Sequence, residues 1–216
     1  MLPDIYIAIP TARDWKPEFG CSMIGLSVHL MKLKSKGLIR GFYVNNKIAA
    51  LLSMGRQMLL DEALAGDWTH ILWVDDDQQF TARSFDLMFS RNKEFVSANI
   101  CKKTFDNGGF IASAGEGKKI NSVGRTGIEK ASTTGLGYAL LQLEPLRKTK
   151  RPHFETVWVD EAEKYIGEDV YFCAKLQHDL GIFPWIDHDA SQEVNHVGNH
   201  GYGVKDFVQQ QIKEAV

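Results

Sequence analysis

Short apolar runs alternate with segments of helical periodicity across the first hundred residues, and this alternation restricts the fold more than any other feature of the sequence. The run IYIAIPT, residues 5–11, predicts a short buried strand that stops at Pro10, because proline cannot donate to a ladder. From Ser22, a capping residue type, Met23, Leu26, Leu30 and Leu33 recur at helical spacing, and Gly37 supplies a stop. LIRGFYVNN predicts a second strand ending in the turn formers Asn45 and Asn46. SMGRQMLLDEALAGD then gives a helix whose Met54, Met58, Leu59 and Leu64 can face a sheet. Ile71–Val74 is the third strand, Thr81 caps a helix to about Arg91, and EFVSANI restores strand character. Strands alternating with helices in this way predict an α/β fold with a parallel sheet.

Beyond residue 100 the pattern loosens. Residues 107–127 are Gly-rich and polar, which predicts a mobile loop or irregular hairpin within one domain. GYALLQL reads as a strand, EPLRK as a short helix, TVWV as a brief strand and EDVYFCAKLQHDLG as a helix closed by Gly181. IFPWID reads as a last strand, with a polar helix after Val204. A chain of 216 residues with 44% hydrophobic content can fill one such domain. Its 25 basic and 27 acidic residues, net −2, give no bulk attraction to nucleic acid or anionic lipid. Cys21, Cys101 and Cys173 are too few and too scattered for a disulfide framework or a CxxC site, which points to reduced thiols and a cytoplasmic protein. No signal peptide and no bilayer-spanning run is expected.

The third strand ends abruptly in Asp75, Asp76 and Asp77. If extended geometry persists, Asp75 and Asp77 point one way and Asp76 the other. Converging carboxylates repel by about 1 kcal/mol in water and several times that near a protein interior, so they call for a cation. Hard oxygen ligands at the carboxyl end of a parallel strand suit Mg²⁺ or Mn²⁺. A solvated strand end, with Asp76 or Asp77 opening a turn, is the competing reading. Glu168 and Asp169 begin a helix, where acidic residues either complement the macrodipole or supply a general base. NHVGNHG places His196 and His200 in what looks like a loop, where one imidazole can join Asp77 on a metal or both can be surface residues. Gly135 and Gly137 permit close approach by a ligand or by neighbouring backbone. No Rossmann GxGxxG, Walker lysine or GxSxG elbow is present.

Taken together, IPT at the end of the first strand, SMGRQMLLDEAL before the triplet, ILWVDDD, TTGLGYALL, GEDVYFCAKL and the late NHVG resemble a GT-A-fold glycosyltransferase, from about Ile5 to about Gly198. The resemblance implies a single domain over residues 1–216 with a Rossmann-like central mixed sheet flanked by helices, residues 1–104 forming a nucleotide-binding half and 105–216 an acceptor-side half. It implies a UDP- or GDP-sugar donor bound by Pro10, Thr11, Arg13, Arg56, Asp75 and Asp76, with Gly135, Leu136 and Gly137 flanking the sugar. Asp77, with Asp75 and His196, would hold Mn²⁺ or Mg²⁺, and Asp169, beside Glu168, would deprotonate the acceptor in an inverting transfer. The acceptor would be a carbohydrate, a glycolipid or another hydroxyl compound, with nucleic acid not excluded. SMGRQ departs from the Arg-Asn of many such enzymes, which bears on Gln57. A nucleotidyltransferase making nucleotide sugars, or a catalytically silent nucleotide-sugar-binding protein, are the alternatives.

Overall fold

The apolar runs Ile5–Ile9 and Ile71–Val74 lie side by side inside a seven-stranded mixed sheet, buried on both faces. A computed structural model describes residues 2–12, 14–103, 109–160, 163–198 and 201–204. In chain order the first part comprises β1 (Asp4–Thr11), α1 (Pro17–Ser35), β2 (Gly41–Ile48), α2 (Leu52–Ala65), β3 (His70–Val74), β4 (Gln78–Phe80), α3 (Ala82–Ser90) and β5 (Phe95–Ala98). There follow β6 (Ser113–Gly115), β7 (Lys118–Lys119), β8 (Ile128–Lys130), β9 (Tyr138–Gln142), α4 (Leu143–Leu146), β10 (Val157–Val159) and β11 (Lys164–Ile166). The last elements are α5 (Glu168–Leu180), β12 (Trp185–Asp187), α6 (His188–Ser191), β13 (Val194–Val197) and β14 (Gly201–Gly203).

The large sheet runs β2-β1-β3-β9-β5-β12-β8. β1 is parallel to β2 and β3, and β5 is parallel to β12, as the strand–helix alternation requires. β9 enters antiparallel between β3 and β5, and β8 closes the far edge antiparallel to β12, so the sheet is mixed. Successive side chains of a strand face opposite sides. Ile5, Ile7, Ile9, Leu72 and Val74 accordingly pack under α1 and α3 with Phe19, Met23, Leu26, Leu30, Phe85 and Met88. Tyr6, Ala8, Ile71 and Trp73 pack under α2, α4 and α5 with Leu59, Leu60, Ala63, Leu146, Phe172 and Leu176. Helices on both faces explain why these strands read as unbroken apolar runs rather than as alternation. Among the described residues no helix is long and apolar enough to cross a membrane.

Several local expectations are corrected. β1 does not stop at Pro10: its pairing with β3 ends at Ala8, while Pro10 and Thr11 stay in register with Lys47 and Ile48 of β2. Pro10 thus sits where β1 has a neighbour on one side only, and its missing N–H is tolerated. Asn45 and Asn46 lie within β2, where the Asn45 amide donates to the Tyr6 hydroxyl and that of Asn46 to the Ile9 carbonyl at 3.1 Å. α1 starts five residues before Ser22, at Pro17, and the Ser22 hydroxyl accepts from the Phe80 N–H at 3.0 Å, tying α1 to β4 instead of capping. Thr81 occupies an N-cap position without a capping bond, its hydroxyl donating to Glu193 at 2.8 Å. A β6–β7 hairpin forms within the Gly-rich segment, and the polar helix expected after Val204 lies outside the described residues. NHV is β13, not a loop, and it pairs with β4 and β14.

On α2 the sheet-facing stripe is Gly55, Arg56, Leu59, Leu60 and Ala63, while Met54 and Met58 are exposed. Met58→Gln should therefore change stability within about 0.5 kcal/mol, whereas Leu59→Ala should cost about 2–5 kcal/mol. Urea denaturation of the two variants would expose a wrong register if their order were reversed.

Candidate functional site

Helix α2 carries a charged residue in its buried stripe. Arg56 is only 2% exposed, and its guanidinium lies 5.5 Å from the centre of the Trp73 ring. Nη2 donates to Asp75 Oδ1 at 2.9 Å and Oδ2 at 3.2 Å, and Nε reaches Glu168 Oε1 at 3.4 Å. Buried charge is stable only when paired. Arg56 therefore joins α2, the end of β3 and the first turn of α5 at one point. Among the described residues its Nη1 has no hydrogen-bond partner. Gln57, beside it, has a holding role: its carbonyl accepts from the His153 N–H at 2.8 Å and its amide donates to Asp61 at 2.9 Å.

The strand does not persist through the aspartates. Gln78 N–H donates to the Asp75 carbonyl at 3.1 Å, closing a turn that leads into β4. Lys16 N–H donates to the Asp76 carbonyl at 3.2 Å and Val197 N–H to that of Asp77 at 2.7 Å, so the turn is pinned from α1's entry and from β13. The simple alternation of side chains is lost, and the carboxylates take different partners. Asp75 turns to Arg56. Asp77 Oδ2 meets Lys103 Nζ at 2.5 Å and His196 Nε2 at 3.3 Å.

Electrostatics separates the three. Burial pushes the Asp75 carboxyl up, Arg56 opposes it, and Asp77 adds repulsion. Burial also raises Asp76; the nearby Thr11 hydroxyl opposes this without forming a full hydrogen bond. For Asp77 burial acts in the same upward direction, but His196 and Lys103 outweigh it and bring the pKa down to about 2. Asp77 is therefore the carboxylate of the triplet that is firmly ionised.

His196 reaches this place through strand pairing, opposite Gln78. Its Nδ1 lies 2.8 Å from the Cys101 carbonyl oxygen, which can only accept, so Nδ1 carries the hydrogen. In a neutral ring Nε2 then turns its lone pair toward the Asp77 carboxylate. The same carboxylate oxygen is already served by the Lys103 ammonium at 2.5 Å, so a divalent ion held by Asp77 and His196 would have to displace that ammonium. A histidine whose second nitrogen is held by a backbone carbonyl is the usual arrangement of a metal ligand. Among the described residues no group of three or more His, Cys, Asp or Glu could hold a metal. The donor set of one carboxylate and one oriented imidazole suits Mg²⁺ or Mn²⁺, which keep open positions for water and phosphate oxygens.

Across the end of the sheet stands Asp169, on the first turn of α5. Burial raises its pKa and Glu168 adds to the rise, while the Val170 N–H, donating to Oδ1 at 2.8 Å, opposes it. Glu168 does not cap the helix; its carboxylate is engaged by Arg56. The two glycines seat these acids. A Cβ on Gly137 would lie 3.2 Å from Asp75 Oδ2 and 3.2 Å from Gln78 Nε2, and one on Gly135 would lie 3.6 Å from Asp169 Oδ2. The close approach expected there is made by Asp75 and Gln78 at Gly137, and by the Ile111 side chain at 3.2 Å, with Asp169 behind it, at Gly135. Leu136 between them is buried among Trp73, Phe172 and Leu176, so its side chain belongs to the core.

Of the residues predicted from sequence, Pro10, Thr11, Arg56, Asp75, Asp76, Asp77, Gly135, Gly137, Glu168, Asp169 and His196 gather where β1 and β3 end. Arg13 and His200 lie outside the described residues. Two members were missed. Lys103 follows β5 with no spacing to mark it, and Gln78, 1% exposed with its Oε1 unpartnered among the described residues, looked like an ordinary polar residue after the triplet.

No protein-family model matches the sequence, and no curated protein is significantly similar to it. Among solved structures the chain is similar to A197 from STIV, with a TM-score of 0.57 and 17% identity over 91% of this chain and 86% of that one. At this identity the likeness concerns the fold, a mixed α/β sheet flanked by helices, and it extends over most of both chains.

Proposed function

We propose that this chain is a GT-A-type, metal-dependent glycosyltransferase that moves a sugar from a nucleoside-diphosphate donor to an acceptor hydroxyl. The observation that carries the reading is the Asp77–His196 pair, an ionised carboxylate facing an imidazole whose other nitrogen is fixed by the Cys101 carbonyl. Asp77 and His196 would hold Mn²⁺ or Mg²⁺, which when bound offsets charge on the departing nucleoside diphosphate. Asp76, in the turn after β3 and beside Thr11 at the end of β1, would offer its carboxylate to the nucleoside, and Arg56 keeps Asp75 fixed beside it.

Asp169 is suited to take the acceptor proton, since a carboxylate raised by burial is a stronger base than an ordinary one. With Asp169 as that base the transfer would invert the anomeric centre, which NMR of the product anomer would read. Carbohydrate, glycolipid and other hydroxyl acceptors are compatible with this arrangement, and a cytoplasmic location would keep Cys21, Cys101 and Cys173 reduced.

A thermal-shift screen with UDP and GDP, each with and without Mn²⁺, tests the proposal. A nucleotide at a hundred times its Kd adds about 2.7 kcal/mol, a rise of roughly 5–10 °C for a chain of this size. The Mn²⁺-dependent part should vanish in Asp77→Asn while its circular dichroism stays unchanged. A full Mn²⁺-dependent shift in that variant would remove the ground for the assignment, and binding without turnover over many acceptors would favour a silent binding protein.

A further inference from the structure

Lys103 has a placement that the roles above leave unused. Its Nζ sits 2.5 Å from Asp77 Oδ2, the oxygen that also faces His196 Nε2 at 3.3 Å. The other oxygen, Oδ1, accepts from the Gln78 amide at 3.2 Å. The ammonium therefore holds the atom a divalent ion shared by Asp77 and His196 would need. Two cations on one carboxylate oxygen repel strongly where solvent is partly excluded.

The route of the side chain is also built. A Cβ on Gly198 would lie 3.3 Å from Lys103 Cδ and 3.5 Å from its Cγ, and 3.1 Å from Tyr202 Cε2. Gly198, two residues after His196, leaves the slot through which the Lys103 stem passes to Asp77. The stem is held along that slot, while the ammonium, with three donors on a flexible chain, can change acceptor by rotation.

We propose that Lys103 is the resident counter-cation of Asp77, and that it yields this carboxylate to the divalent ion and then binds the diphosphate oxygens of the donor. The inference rests on the metal and nucleotide reading given above. It adds a specificity device: the metal site becomes favourable only when an anion is present to receive the displaced ammonium. Metal and diphosphate then bind with mutual support, since each removes a cost the other would meet.

Lys103→Met keeps the stem and removes the charge, and the test uses two probes. Electron paramagnetic resonance titration with Mn²⁺ alone should show the variant binding about tenfold more tightly than the unsubstituted protein, because a competing cation is gone. Calorimetry with inorganic pyrophosphate at saturating Mn²⁺ should show the variant binding about tenfold more weakly. Lys103→Arg, which retains the charge, should recover most of the pyrophosphate affinity. A merely structural lysine would move both arms the same way. Unchanged or weaker Mn²⁺ binding by Lys103→Met, or unchanged pyrophosphate binding, overturns the inference while leaving the metal reading intact. Failure of the unsubstituted protein to bind Mn²⁺ with or without pyrophosphate overturns both.

Discussion

Asp169→Asn is expected to lower sugar transfer by about 10²–10⁴-fold, the range for loss of a positioned general base, and at the same time to raise the melting temperature. The two effects have one origin. Burial first, and then Glu168, raise the Asp169 pKa above the usual carboxylate range. An acid raised in the folded state is disfavoured there once ionised. Its contribution to stability is present below the unfolded pKa and is lost as pH rises through the raised folded pKa. At neutral pH the ionised group thus costs stability, and an uncharged amide of the same shape does not. Asn can still accept from the Val170 N–H through its carbonyl oxygen. The gain in melting temperature should shrink toward zero below about pH 4, where both forms are neutral. If Asp169 is the base, kcat/KM of the unsubstituted protein should rise through the raised pKa to a plateau. Wild-type transfer by the variant would dismiss Asp169 as base, and a lower melting temperature would show that its charge is satisfied by something else.

Arg56→Met should destabilise the protein by about 3–5 kcal/mol, the cost of leaving buried charge without its partner. Asp75 and Glu168 both rely on this guanidinium, which offsets only part of the rise that burial gives the Asp75 pKa. Methionine preserves packing against Trp73, so the loss reports on charge and not on a cavity. The triple variant Arg56→Met, Asp75→Asn, Glu168→Gln should regain most of the lost stability, because no unpaired carboxylate remains. Equilibrium urea unfolding measures both. A single-variant loss under about 1 kcal/mol would mean that water already solvates the two acids.

The layered α/β architecture was readable because its strands are buried on both faces: IYIAI and ILWV have no polar side to mask them. The antiparallel insertion of β9 was not readable, since YALLQ carries the same apolar content whichever way it runs. Asp77, Asp169 and Arg56 could be singled out from the order of motifs, but the pairing of Arg56 with Asp75 and Glu168 could not. Arg56 and Glu168 are 112 residues apart, as the hydrogen bond between them records, and only folding brings them to one point. His196 looked like a loop residue because NHVGNHG is rich in turn formers; its pairing with Gln78 across β4 depends on a partner more than a hundred residues earlier. The start of α1 was misplaced because Ser22 has the chemistry of a cap, yet its hydroxyl is used by the Phe80 N–H. Lys103 gave no local signal at all.

The position of β9 has a consequence for how the chain is made. β3 and β5 belong to the first hundred residues, yet neither touches the other; both pair only through a strand that ends at Gln142. A nascent chain emerging from a ribosome can assemble β1, β2 and β3 early, but β5 has no neighbour on either side until some forty further residues have left the exit tunnel. Cutting the gene near codon 104 would therefore yield a first fragment with an orphaned strand, and rescue would require the second fragment to insert between two strands rather than dock onto a finished edge.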